Sequence, residues 1–397
     1  MLVLAAVSCT KTPLFPGRPR YTTEVGGGRQ RPHIEKNATD NLPDGLHLYT
    51  TAVRFAEGYD WQMDTVPAGG QERILLLKDG AEVLSVAARG SSSPERHRAR
   101  AGHLWTDRCE GGWTILSRDG EEVFRWTPEE CLKGFILVGG DVFTLGQKLG
   151  GKGISLRRNG EALFQDESGT LLGEINDSGW EGGALALDGE DLCYCYSIEV
   201  RVGAETYKEY HFMKGDKAVN TLPASSVKLL YDWRSAGGVL YRSELRKDGF
   251  YFVAGDKSVK LSQDAPHIAK LKPWKGATAI TGYYDYPYRF TAEAADRIIL
   301  SSFSAYISEL FLDGDNLAFV CTDADGRVRS LYSSLYPAEE HFALGNYHLM
   351  SPSCGTLRGG CFAVALTNLD SPEHLLCVDD TVVSLAFNGY LTSVRIE

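Results

Sequence analysis

The sequence predicts an all-β fold, a β-propeller of four-stranded antiparallel blades, eight in number with seven as the close alternative. Three observations predict it. A hairpin motif recurs every 40 residues, a second hairpin type lies upstream of many copies, and glycine is abundant (43 residues) while methionine is scarce (4). Turn-rich all-β chains have this composition, and an internal period of roughly 40 residues is that of a propeller blade.

The repeat is explicit in the residues. Leu76-Leu-Lys78-Asp79-Gly80-Ala-Glu-Val83-Leu84 aligns without gaps with Leu116-Ser-Arg118-Asp119-Gly120-Glu-Glu-Val123-Phe124 and with Leu156-Arg-Arg158-Asn159-Gly160-Glu-Ala-Leu163-Phe164. Phe212-Met-Lys-Gly215-Asp216-Lys217-Ala-Val219 and Phe252-Val-Ala-Gly255-Asp256-Lys257-Ser-Val259 form a second family with the same period. Asp-Gly and Asn-Gly supply the positive φ angles of a type I′ turn, whose twist suits two antiparallel strands. The basic residue ahead of each turn is expected to face solvent, and the apolar residues on either side to alternate inward. Outer hairpins are placed near 79, 119, 159, 215, 255 and 379, with two more near Ala295 and Pro337.

Inner hairpins precede many of these, at Gly139-Gly140, Asp188-Gly189, Gly237-Gly238 and Asp313-Gly314, each between apolar runs. Two successive hairpins make a four-stranded unit, and a run of such units closes on itself because open sheets leave adhesive edges. The longer interval between Gly160 and Gly215 marks an insertion in the fourth unit. Tyr390-Leu-Thr-Ser-Val-Arg-Ile396, after the turn Asn388-Gly389, is expected to become the inner strand of the first unit, which begins near Leu46. No helix longer than a turn or two is expected.

The 397 residues, 43% of them hydrophobic, suffice for a sizeable core. A net charge of −11 lacks the surplus of Lys and Arg that phosphate neutralisation needs, which excludes nucleic acid as a partner. Met1-Leu-Val-Leu-Ala-Ala-Val-Ser-Cys9 is an apolar run ending in small residues, as an export signal requires, and is too short to span a bilayer. An ordinary buried N-terminal strand is the other reading. Ala6-Val7-Ser8-Cys9, followed by Thr10-Lys11, resembles a bacterial lipobox. With the repeat, the chain resembles Bacteroidetes lipoproteins that carry a β-propeller body. The resemblance implies an exported protein of the outer membrane or periplasm, held to the membrane by lipid on Cys9. Residues 1–9 are then the remnant of the export signal. Residues 10–44, rich in Pro, Gly, Arg and Lys, read as a flexible tether, and 45–397 as a single propeller domain.

Eight cysteines remain besides Cys9. Cys354 with Cys361 and Cys109 with Cys131 are conceivable disulfides in an exported protein, while buried free thiols are the other reading. G-x-S-x-G, H-E-x-x-H, a complete Walker A loop, the WD40 signature and the sialidase Asp-box are all absent, so neither catalytic residues nor a cofactor is assigned. Asp141, Asp188, Asp191, Asp232, Asp313 and Asp315 lie near inner turns. There they either supply the two carboxylates of a carbohydrate-active enzyme or close turns. Asp313-Gly-Asp315-Asn316 and Asp323-Ala-Asp325-Gly326 have oxygen donors spaced as in calcium loops, but lack an EF-hand's glutamate, and no metal is assigned.

Two groups are candidates for ligand binding. Trp274, Tyr284, Tyr286 and Tyr288 belong to an aromatic stretch broken by Pro287 and Arg289 that fits poorly as a simple alternating strand. It suits either a protein or glycan interface or interblade packing. Arg98 and Arg100 lie in a basic cluster that is either an inner strand, lining the channel and holding an anion, or a solvated extension of the loop Gly90-Ser-Ser-Ser-Pro94. The expected function is a non-catalytic ligand-binding or scaffold propeller of the cell envelope with a protein or glycan ligand. The alternative is a glycoside hydrolase or lyase using channel-facing carboxylates.

Overall fold

The computed structural model describes residues 41–55, 72–88, 97–110, 113–126, 129–172, 184–223, 226–260, 267–274, 278–285, 289–294, 297–302, 306–313, 316–323, 326–333, 346–379 and 381–397. They form eight antiparallel sheets. Sheet 1 holds β1 (Leu48–Arg54), β2 (Arg73–Lys78) and β3 (Ala81–Ala87). Sheet 2 is β4 (His97–Arg100), β5 (His103–Glu110), β6 (Trp113–Arg118) and β7 (Glu121–Trp126). Sheet 3 is β8 (Glu130–Val138), β9 (Asp141–Lys148), β10 (Ile154–Arg158) and β11 (Glu161–Asp166). In sheet 4, β12 (Thr170–Leu171) and β13 (Leu185–Asp188) share the inner position beside β14 (Asp191–Val202), followed by β15 (Glu205–Lys214) and β16 (Lys217–Leu222). The insertion in this unit splits its inner strand.

Sheet 5 is β17 (Leu229–Ala236), β18 (Val239–Arg246), β19 (Gly249–Ala254) and β20 (Lys257–Lys260). Sheet 6 is β21 (His267–Trp274), β22 (Thr278–Asp285), β23 (Arg289–Ala294) and β24 (Arg297–Ser302). Sheet 7 has β25 (Tyr306–Asp313), β26 (Asn316–Thr322) and β27 (Val328–Ser333) among the described residues. The outer hairpin expected near Ala295 joins β23 to β24, and that expected near Pro337 lies outside the described residues. Sheet 8 contains β28 (Tyr347–His348), β29 (Gly355–Arg358), β30 (Cys361–Asn368), β31 (Glu373–Val378) and β32 (Thr381–Ala386), and β33 (Gly389–Ile396) returns to sheet 1. No α-helix occurs among the described residues, and the 3-10 turn Pro352–Cys354 leads into β29.

Strand alternation explains why the sheets stack side by side. Along β30, Cys361, Ala363 and Ala365 enter one apolar slab with Leu48, Leu75 and Leu391 of sheet 1. The intervening Phe362, Val364 and Leu366 enter another with Ala318 and Val320 of sheet 7. Likewise Leu75 and Leu77 of β2 face sheet 8, whereas Ile74 and Leu76 pack on Ala99 and Leu104 of sheet 2. Sheets 8 and 1 are thus apolar on both faces, as strands buried on both sides must be, and further slabs lie between sheets 2 and 3, 3 and 4, and 4 and 5. The innermost strands contact one another in turn from sheet 3 through sheet 8 to β33, and β33 contacts β4. The chain is a β-propeller.

The repeated turns have the expected geometry: Asp79, Asp119 and Asn159 have φ of 54°, 54° and 49°, and the glycines that follow have 84°, 88° and 91°. Each acid or amide also clasps the neighbouring strand on the inner side of its hairpin. Asp79, Asp119, Asn159 and Asp379 accept, each at 2.8 Å, from the backbone N–H of Leu48, Leu104, Val142 and Phe362. The same four residues donate their own N–H to the carbonyls of those partners. The side chain therefore extends the ladder past the end of the hairpin. Asp79→Ala removes that bond and leaves an alanine at positive φ, so it is expected to cost about 2 kcal/mol, measured by urea denaturation. Asp79→Asn is expected to be nearly neutral, since Asn159 performs the same task.

One expectation about these hairpins is corrected. Val83, Val123, Leu163 and Val219 do not turn inward but are 41–54% exposed. Each is the extra residue of a β-bulge on the outer strand, as the register steps from Leu84 to Glu82 opposite Leu76 and Leu77 show. A bulge breaks the alternation locally, and on an edge strand it discourages pairing with another chain.

The ring is closed by β33, which pairs along β1. Backbone bonds bracket that pairing, from Phe55 N to Asn388 O (2.8 Å) and reciprocally between His47 and Glu397 (2.8 and 3.0 Å). At its centre Thr51 Oγ1 lies 2.6 Å from Thr392 Oγ1 and 2.5 Å from Ser393 Oγ, all three buried.

Candidate functional site

The inner strands around the closure line an open cavity of about 500 Å³. Arg98 and Ala99 of β4, residues 355–358 of β29 and residues 393–396 of β33 line it, with Ser353 and Asp313. The described lining thus brings three arginines and one carboxylate to a single cavity in a chain whose net charge is −11. Arg98 is buried, 7% exposed. Arg395 is half-buried, its Nε 3.2 Å from Glu397 Oε1. Arg358 is exposed and donates from Nη1 to Ile396 O at 2.9 Å. Thr356 and Ser393 add hydroxyls to the wall.

Three carboxylates at the ends of inner strands are engaged as locks between neighbouring sheets. Glu397 Oε2 accepts from Gly102 N (2.9 Å), Asp313 Oδ2 from Gly359 N (2.8 Å) and Asp188 Oδ2 from Gly238 N (3.0 Å). In each case an acid at the end of one inner strand caps the inner turn of the next sheet. Asp188 also accepts from Ser235 Oγ at 2.7 Å and lies 3.4 Å from Lys214 Nζ. Burial alone would raise its carboxyl; the Ser235 and Gly238 bonds and the Lys214 charge outweigh it and hold the group below the usual carboxylate range. Asp141 is likewise lowered by hydrogen bonds from Asn159 and Arg158. Carboxyls held ionised in this way are poor proton donors near neutral pH.

Asp191 pairs with Lys214 at 3.2 Å, and Asp323 accepts from Arg327 N at 2.9 Å, closing its own turn. The side chain of Asp232, and all of Asp315 and Asp325, lie outside the described residues. Among the described residues no group of three potential metal ligands converges. Cys131, Cys193, Cys195, Cys321, Cys354, Cys361 and Cys377 are free thiols, so the conceivable Cys354–Cys361 bridge is not formed. Burial pushes the Cys354 thiol up to about 11 and Cys361 and Cys377 to about 12, the reverse of what a thiolate nucleophile needs.

Of the residues singled out in the sequence, Arg98 and Arg100 lie on β4, the innermost strand of sheet 2. The solvated-loop reading of this segment is therefore replaced. Arg98 lines the cavity, whereas Arg100 donates from Nη2 to Leu137 O of sheet 3 at 3.3 Å. Trp274 ends β21 at the inner turn, opposite Thr278. Tyr284 lies at the far end of the same hairpin, opposite His267, so the two are not brought together. The stretch that fitted poorly as a strand is strand on both sides: Tyr283 and Tyr284 belong to β22, and Tyr284 pairs with Phe290 of β23. Tyr286, Tyr288 and Cys9 lie outside the described residues. Arg358 and Arg395 were not singled out. The signal for Arg358 is its place before Gly359-Gly360, which matches Arg100 before Ala101-Gly102.

No family model and no curated protein matches the chain. Similar solved structures include the β-propeller domain of the Trilobed protease from Pyrococcus furiosus, at 8% identity over 70% of this chain and 87% of that one, with a TM-score of 0.41. BamB from Moraxella catarrhalis is 9% identical over 78% of this chain and 98% of that one, with a TM-score of 0.36. One of two prolyl endopeptidases is 12% identical over 76% of this chain, with a TM-score of 0.43, and the match spans about half of it (49%). Likeness at this level says nothing of ligand or activity, and the architecture stands on the sheet order itself.

Proposed function

We propose that the chain is a non-catalytic ligand-binding or scaffold propeller of the bacterial cell envelope, taking a protein or glycan ligand at the centre of its ring. The supporting observation is the composition of the central cavity. Its described lining offers one carboxylate, Asp313, already engaged by a backbone N–H, where glycoside cleavage requires two. The arginines and hydroxyls that dominate the lining bind and orient rather than exchange protons. Saturable binding of labelled envelope glycans or protein fragments, with the ligand recovered intact by chromatography, is the expected result. New reducing ends or cleaved peptide would contradict the reading.

Placement at the envelope rests on the apolar run ending at Cys9. Acylation of Cys9 would tether the propeller through the Pro- and Gly-rich segment that follows. Metabolic labelling with radioactive palmitate in a bacterial host is expected to mark the wild-type chain and not Cys9→Ala. An unlabelled wild type would contradict the anchor.

A further inference from the structure

We propose that Arg98, Arg358 and Arg395 form an oxyanion site for a ligand group bearing several carboxylates or phosphates, and that its occupancy holds the C-terminal strand in the ring. The proposal rests on the reading of the ring centre as the binding site, and names the chemistry that site selects.

Charge and size favour a polyanion. The cavity concentrates three guanidiniums in a chain of net charge −11, and its described lining supplies a single carboxylate. Guanidinium forks match carboxylate and phosphate oxygens in pairs, with greater strength than neutral donors. The arginines are also fixed at different depths: Arg98 buried in the wall, Arg395 held beside Glu397, and Arg358 at the exposed side, tied to Ile396 O. Thr356 and Ser393 provide neutral hydrogen bonds alongside them. A volume of about 500 Å³ lies within the range of small-molecule sites and exceeds what one simple ion fills.

The link to closure follows from where the three arginines sit in the chain. Arg358 lies on β29 of sheet 8, Arg395 on β33 of sheet 1, and Arg98 on β4 of sheet 2. They straddle the seam at which the end of the chain is zipped into the ring. Two bonds already cross there, Arg358 to Ile396 O and Gly102 N to Glu397. A ligand gripping all three guanidiniums binds the closed ring and not one from which β33 has detached. It therefore shifts the opening equilibrium by its own binding free energy.

The test is calorimetric titration of the full chain with citrate and with pyrophosphate, joined to hydrogen exchange of the β33 amides. One or both anions are expected to bind, and their order of affinity separates a carboxylate ligand from a phosphate one. At a concentration of 100 times Kd, exchange of amides 389–396 is expected to slow by about 100-fold where it proceeds through detachment of the strand. Arg358→Gln and Arg395→Gln are each expected to weaken binding by about ten-fold or more and to reduce the protection in step. Absence of binding by both anions, binding unchanged in both variants, or binding that leaves β33 exchange unaltered would each overturn the proposal. Binding of a neutral glycan with both anions ignored would overturn it too, while leaving the binding-propeller reading intact.

Discussion

Deleting residues 389–397 is expected to abolish the cooperative thermal transition and leave an aggregating chain. The strand lost is the innermost of sheet 1 and carries the fully buried Leu391 and Ile396 and the buried Val394. Removing three such side chains forfeits roughly 5–9 kcal/mol of burial, comparable with the whole stability of a typical domain, about 5–15 kcal/mol. The deletion also bares β1 as an edge at the centre of the molecule. A milder variant reports on the same seam. Gly389 has φ of +155°, and a β-carbon there would lie 1.9 Å from the carbonyl oxygen of Val53. Gly389→Ala must therefore displace backbone, and is expected to cost about 2–3 kcal/mol. Calorimetry of both variants beside the wild type checks the pair. A deletion that still melts cooperatively near the wild-type temperature would show that the ring does not depend on β33.

Acidification from pH 6.5 to pH 4 is expected to remove about 3 kcal/mol of stability through His374 alone. This histidine on β31 is fully buried and packs on the ring of Phe387, with centroids 4.4 Å apart. Its Nε2 lies 3.0 Å from Phe387 O and donates to it, and Nδ1 has no hydrogen-bond partner. Burial lowers its pKa from 6.5 to about 4, against a small opposing effect of the Phe387 bond. The folded state therefore binds this proton less readily than the unfolded chain. Its contribution is intact above pH 6.5 and is lost progressively as pH falls towards 4, because only the unfolded histidine is protonated in that window. Urea midpoints across this range are expected to fall in the wild type, and to lose this part of the slope in His374→Leu. Equal slopes in the two proteins would contradict the assignment.

Much of the fold was legible because its signals are local. Asp79-Gly80 and its copies announce a turn through backbone chemistry that needs no partner, and their spacing gives the repeat. The strand at Tyr390–Ile396 was legible as a closing strand because it follows Asn388-Gly389 and ends the chain of hairpins. The outward-facing Val83 series was not legible, since a bulge exists only relative to the strand it pairs with. The sequence left the acids at 188 and 313 open between catalytic carboxylates and turn formers; the turns they cap belong to the neighbouring sheets. That relation becomes visible only when the sheets stand side by side.

The central cavity was half legible. Arg98 drew notice because basic residues crowd around it in the sequence. Arg358 and Arg395 stand in separate strands far along the chain, each flanked by ordinary β residues. Only closure of the ring brings sheets 8, 1 and 2 together, so no local pattern marks the three arginines as one group. In the aromatic stretch, Trp274 and Tyr284 are close in sequence, yet the run of β22 puts them at opposite ends of one hairpin.

The most direct test of a ligand site at the ring centre is a crystal structure of the full chain grown with pyrophosphate or citrate. The account expects ordered anion density among Arg98, Arg358 and Arg395, with β33 paired to β1. An empty cavity, or anion bound only at other surfaces, would contradict it.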